Sequence, residues 1–204
     1  MEQYKDFIKK ANATLTIFDV DDTLFKTFSK IEVKKKNGHT VKELSSSEFN
    51  NHKLSDGEVY GFDQFRSADV FAATSIPIVP MVRKLRAIQR NVMRSPLSRS
   101  IIVTARADLD SKAKVVSFFN KHGIDVDNEV FIERSGNLNN PSTAAAKKII
   151  FDRYLETGVY RRVRLYDDAM GNLTALLSLK PKYPEVKFEA WLVRHDGSIE
   201  KVNP

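Results

Sequence analysis

The chain has 204 residues, 42% of them hydrophobic, enough to bury a core in one domain or in one domain carrying an insertion. It contains no cysteine, so disulfides, thiolate metal sites and cysteine nucleophiles are excluded, and nucleophilic chemistry must come from oxygen or nitrogen. Lysine and arginine outnumber aspartate and glutamate by 33 to 26, a formal charge of +7 that suits anionic partners but is also an ordinary device for solubility.

Residues 1–15 mix charges with isolated apolar side chains and lack the unbroken apolar stretch of a signal peptide or membrane span. The expectation is a soluble, cytoplasmic protein with no membrane partner. Residues 14–19 are continuously apolar and β-branched, the pattern of a strand buried on both faces of a parallel sheet. This stretch runs into LTIFDVDDTLF, which puts Asp19, Asp21, Asp22 and Thr23 at a strand's carboxyl end. Carboxylates this close repel one another, and burial disfavours each of them, so a divalent cation with oxygen ligands would resolve the conflict. With no cysteine or histidine nearby, the hard cation Mg²⁺ fits that donor set. The competing reading is an acidic turn in which Asp22 or Thr23 caps a helix.

Residues 26–75 interrupt the pattern. IEVKKKNGHTVKEL has the form of a hairpin turning at Asn37-Gly38, and the polar, turn-rich stretch after it carries Phe49, Tyr60, Phe62 and Phe65. This segment reads as an insertion over the sheet's carboxyl edge, separating residues 1–25 from residues 76–204 of an α/β core. Next comes a helix over 80–93, with Met81, Val82, Leu85, Ile88 and Val92 on one face. A strand at 101–104 delivers Thr104 to the same edge, where a hydroxyl and backbone N–H groups suit phosphate. A helix over 110–122 follows, with Ala113, Val116, Phe118 and Phe119 inward and Gly123 as its stop.

A short strand at 130–132 leads to a helix over 141–155 carrying Lys147 and Lys148. Lys147 shares a face with Phe151 and Tyr154, whereas Lys148 lies four residues before Asp152 and could form a surface pair with it. A strand at 163–166 then presents Asp167 and Asp168, with Asn172 close behind on a helix over 172–179. Alone, that acidic pair is a common turn or helix-start signature. A last strand covers 188–193. Strands and helices alternating in this way give a doubly wound, mostly parallel α/β sheet, whose ligand site lies at the carboxyl ends of its strands.

DVDDT, the apolar strand ending in Thr104, a helix-borne lysine and YDDAMGN, in this order, resemble the four motifs of the haloacid dehalogenase (HAD) superfamily. That resemblance covers residues 15–177 and implies a Rossmann-like core with a cap-like segment after the first strand. It makes Asp19 the nucleophile of an aspartyl-phosphate mechanism and Asp21 the general acid and base. It assigns Asp19, the Asp21 carbonyl and Asp168 to Mg²⁺, with Asp167 and Asn172 as further ligands or supports. Thr104, Lys147 and Thr23 would hold the phosphoryl group. Aspartate at position 21 favours phosphatase over dehalogenase or transport ATPase. The Asp167-Asp168 pair also resembles the phosphatase domain of polynucleotide kinase-phosphatases and some small phage and bacterial relatives.

The substrate stays open between a phosphorylated nucleic-acid end or nucleotide and a small phosphometabolite. Lys34, Lys35 and Lys36 could track a phosphate backbone while the aromatic residues stack on bases. They could equally be a solvated face over the insertion's own small core. A third possibility, from another class, is a catalytically idle metal- and nucleic-acid-binding module. Oligomeric state is not readable from the sequence.

Overall fold

The computed structural model describes residues 12–49, 52–92, 97–126, 128–138, 140 and 142–203, the Ser47 side chain excepted. In chain order its elements are β1 (Ala13–Phe18), β2 (Phe25–Lys26), β3 (Ile31–Lys35), β4 (Thr40–Leu44), α1 (Ser46–Phe49) and β5 (Glu58–Gly61). There follow α2 (Asp63–Arg66), α3 (Ala68–Thr74), β6 (Ile76–Pro77), α4 (Val79–Val92), β7 (Arg99–Thr104), α5 (Lys112–Lys121) and β8 (Val130–Arg134). A 3₁₀ turn (Ser135–Leu138), α6 (Thr143–Glu156), β9 (Tyr160–Asp167), α7 (Met170–Leu177), a second 3₁₀ turn (Lys180–Lys182), β10 (Lys187–Val193) and β11 (Ile199–Val202) follow.

Six strands form a mixed α/β sheet in the order β11-β10-β9-β1-β7-β8, parallel throughout except for β11, which runs antiparallel to β10. The chain builds outward from β1 through β7 to β8, then returns to β9 on the other side of β1. That reversal of strand order opens a crevice at the carboxyl ends of β1 and β9. Inward residues sort onto the two faces by strand alternation. Leu15 and Ile17 pack with Ile150, Phe151 and Leu173 under α6 and α7, while Phe18 and Ile102 pack with Met81, Leu85 and Phe119 under α4 and α5. Among the described residues, no helix is long and apolar enough to cross a membrane.

Several local expectations change. In α5 the buried residues are Val115, Phe118 and Phe119, whereas Ala113 is exposed and Val116 half-buried. The helix starts later than residue 110 because Ser111 caps it by accepting the Lys114 N–H. No helix begins at Asp22 or Thr23. Instead residues 20–25 form a tight turn, with the Leu24 and Phe25 N–H groups on the Val20 carbonyl and Asp22 at φ 58°.

The segment between residues 26 and 75 is not uniform. It leaves and returns through paired β2 and β6, where Lys26 lies opposite Ile76. Strands β3, β4 and β5 make a separate antiparallel sheet in the order β4-β3-β5, over a small core of Ile31, Val33 and Leu44. By contrast, α3 sends Ala68 and Phe71 into the core of the central sheet. The hairpin turn is wider than the two-residue form that Asn-Gly suggests. The Gly38 N–H donates to the Lys35 carbonyl at 2.8 Å, and only Gly38, at φ 86°, is left-handed there. That geometry is a turn with a glycine bulge, not a turn needing positive φ at both central residues.

Candidate functional site

Asp19 follows directly on β1, and its N–H donates to the Tyr166 carbonyl at 3.0 Å, so β1–β9 pairing continues to the point where both strands present carboxylates. Across that point lies Lys147, carried inward by α6 and only 1% exposed. Its Nζ donates to Asp19 Oδ1 at 2.6 Å and to Asp167 Oδ2 at 2.8 Å. Asp167 is fully buried, and its other oxygen accepts from the Ala169 N–H at 2.9 Å and from Asn172 Nδ2 at 2.8 Å. With three donors on it, Asp167 orients Lys147 and Asn172 and also closes the turn into α7.

The electrostatics are dominated by carboxylates. Burial raises Asp19 well above the usual carboxylate range; Lys147 pulls it down, and Asp167, Asp168 and Asp21 push it up again. Burial, reinforced by Asp167, pushes Asp168 up to about 7. For Lys147 burial disfavours the ammonium, but Asp167 and Asp19 more than offset this and hold its pKa above the ordinary lysine value. One ammonium cannot neutralise the whole cluster. Asp19, Asp167 and Asp168 each offer an oxygen within 4.8 Å of the others. This buried, oxygen-only, negatively overcharged donor set is chemically suited to a hard divalent cation.

Asp21 sits on the other side of the cavity in the grip of Arg106. Arg106 Nη2 donates to Asp21 Oδ1 at 2.7 Å, and Nε reaches Oδ1 at 3.1 Å and Oδ2 at 3.0 Å. The Thr27 hydroxyl adds a bond to Oδ1 at 2.6 Å. Arg106 is itself tied to the insertion: Nη1 donates to the Phe65 carbonyl at 3.0 Å, and its guanidinium stacks 4.1 Å from the Phe65 ring centre. Arg106 is the site residue that sequence reasoning missed. Its only signal was its place two residues beyond the strand-terminal Thr104, in TARAD.

These groups surround one cavity of about 280 Å³. Asp19, Asp21, Lys147, Asp168 and Asn172 line it from the sheet edge. Its floor is backbone from 105–107 against Ser135 and Gly136. A Cβ at Gly136 would lie 2.4 Å from the Ala105 carbonyl oxygen, so only glycine permits that approach. Thr104 and Thr23 are not among its lining residues. Thr104 is buried with its Oγ1 accepting the Arg106 N–H at 3.1 Å, which shapes the turn, and Thr23 is buried beneath the 20–25 turn. Lys148 is half-buried outside the cavity, and Asp152, its expected partner, pairs instead with Lys182 at 2.8 Å. Lys34 is held by Glu32 at 2.8 Å and Asp63 at 3.0 Å. Phe49, Tyr60, Phe62 and Phe65 pack on the insertion's small core, although Phe49, Phe62 and Phe65 also face the cavity.

No protein-family model matches the chain, and no match is found among curated proteins.

Proposed function

We propose that the protein is a Mg²⁺-dependent phosphomonoester hydrolase of HAD type, working through an aspartyl-phosphate on Asp19. The observation that carries this reading is the convergence of Asp19, Asp21, Asp168 and Lys147 on one cavity, from the adjacent ends of β1 and β9 and from α6. An idle binding module would have no use for a second carboxylate held by a fork of arginine nitrogens opposite the first.

Asp19 and Asp168 would hold the cation, with Asp167 beside them. When bound, a divalent ion there offsets carboxylate charge and draws electron density from the phosphoryl oxygens. Asp19 attacks phosphorus through its carboxylate oxygen, forming the Asp–O–P bond as the bond to the leaving oxygen breaks. Asp21 protonates that oxygen, then takes a proton from the water that attacks phosphorus and releases Asp19. Its Oδ2 takes only one hydrogen bond from Arg106, so a lone pair is left for the proton. Lys147 holds Asp19 in a single rotamer and supplies positive charge at the attacked group.

The test is phosphate release from an aryl phosphate with Mg²⁺ or with EDTA, in wild type and Asp19→Asn. The wild type should turn over only with the metal, and the variant should release none while keeping its circular dichroism spectrum. More than a few per cent of activity in the variant, after excluding deamidation, would move the nucleophile elsewhere.

A further inference from the structure

We propose that the insertion selects a phosphomonoester whose leaving group is one planar, uncharged ring system, packed in the corner between Phe49 and Phe62; this rests on the phosphatase reading above. The cavity has two unlike walls. Charged groups of the sheet edge form one, and Ile31, Phe49, Phe62 and Phe65 of the insertion form the other. The rings are fixed before any ligand arrives, because Phe49 stands edge-on to Tyr60 at 4.9 Å and to Phe62 at 5.7 Å between ring centres. Phe65 already has the Arg106 guanidinium on one face, and Phe49 and Phe62 stand at 85° to one another, so a planar ring stacked on one of them meets the other edge-on.

Size and charge narrow the ligand further. At about 280 Å³ the cavity lies at the small end of ligand sites, which run from roughly 300 to 1,000 Å³. It accommodates a phosphoryl group and one ring system, not a run of nucleotides. A polynucleotide backbone needs a track of uncommitted cations. Here Lys147 and Arg106 are spent on carboxylates, the hairpin lysines do not line the cavity, and among the described residues Arg66 is its one other lining cation.

The experiment compares kcat/KM, with saturating Mg²⁺, for 2-phenylethyl phosphate, propyl phosphate and a 3′-phosphorylated oligonucleotide. The first two are esters of primary alcohols of similar acidity, so their ratio reports recognition rather than leaving-group chemistry. The phenyl ester should be preferred over propyl by about tenfold, the scale of one stacking partner, and should also be preferred over the oligonucleotide. Phe49→Leu and Phe62→Leu keep apolar volume in the insertion's core while removing the ring plane, and each should lower the phenyl-to-propyl ratio about threefold to tenfold. Equal kcat/KM for the two esters, a ratio unmoved in both variants, or a preference for the oligonucleotide overturns the proposal. If the wild type hydrolyses none of them, the phosphatase reading has failed, and calorimetry with 2-phenylethylphosphonate and propylphosphonate decides the subsite alone. Tighter binding of the phenyl compound that weakens in the variants supports it, and equal affinities overturn it.

Discussion

Lys147 and Lys34 each bridge a pair of carboxylates, with opposite consequences. Lys147 lies between Asp19 and Asp167 with all three side chains almost entirely out of solvent, whereas Lys34 on the hairpin joins Glu32 to an Asp63 side chain that is 79% exposed. The bond lengths are alike; the surroundings are not. Water around Lys34 would solvate each partner nearly as well as the other partners do. Around Lys147 nothing else is available, so its removal strands buried charge. Hydrogen-bond geometry therefore does not rank these contacts, and burial does.

The largest effect should come from Lys147→Met. Leaving Asp19 and Asp167 buried without their ammonium should cost about 3–5 kcal/mol in urea denaturation. Saturating Mg²⁺ should return part of that loss, because an ion that binds only the folded state stabilises it. A variant as stable as wild type without metal would break the comparison at its stronger end.

Next in size are the two sides of the Asp21 contact. Asp21→Asn should slow turnover by about 10²–10⁴-fold and let phosphorylated enzyme accumulate if hydrolysis is the step hit harder. Arg106→Lys keeps the charge but not the planar fork that grips both oxygens, so kcat should fall while KM changes little. Wild-type turnover in Asp21→Asn across the pH range would rule out its role in proton transfer. An unchanged kcat in Arg106→Lys would show that charge alone, without geometry, positions Asp21.

His122 is the intermediate case, half-buried with its ring 5.1 Å from that of Phe25 and 4.8 Å from that of Phe118. Burial, with a smaller push from Lys121, lowers its pKa below the ordinary histidine value. The unfolded chain therefore binds this proton more readily, so stability falls as pH drops below about 6.5 towards the folded value and is regained as pH rises through that window. His122→Phe should flatten the dependence of the urea midpoint on pH between about 7.5 and 5.5. An unchanged slope would assign the acid sensitivity to other groups.

The smallest effect is expected at the weaker lysine. Lys34→Ala should leave the urea midpoint unmoved. Neutralising Lys34, Lys35 and Lys36 together should alter neither turnover of a small phosphomonoester nor its salt dependence, since none of the three lines the cavity. A steep loss on both would mean that the hairpin charge acts on the substrate after all.

The central strands were legible because a run buried on both faces has to be apolar along its whole length, and β1, β7, β9 and β10 lie within a few residues of such runs. β11 escaped notice because four residues, Ile199, Glu200, Lys201 and Val202, with two charged side chains in succession at an open edge, carry too little apolar signal. The acids were legible for a related reason, since carboxylates at the end of an apolar strand stand out against its composition. The Asn-Gly pair marked the hairpin but not its turn geometry, which the register of β3 on β4 decides. A helical face shared with Phe151 favoured Lys147 over Lys148, but its contact with Asp19 joins residues 128 apart in sequence, and Arg106 finds Asp21 across 85. Such pairings are not properties of any local stretch. They depend on which strand lies beside β1, and the reversal of strand order beside β1 brings Lys147 to Asp19 and Asp167 and Arg106 to Asp21 around one cavity. The sequence alone thus determined which residue types end each strand and what chemistry they carry. Only the tertiary structure decided which charge lies buried against which, because that choice follows from where the chain crosses in space.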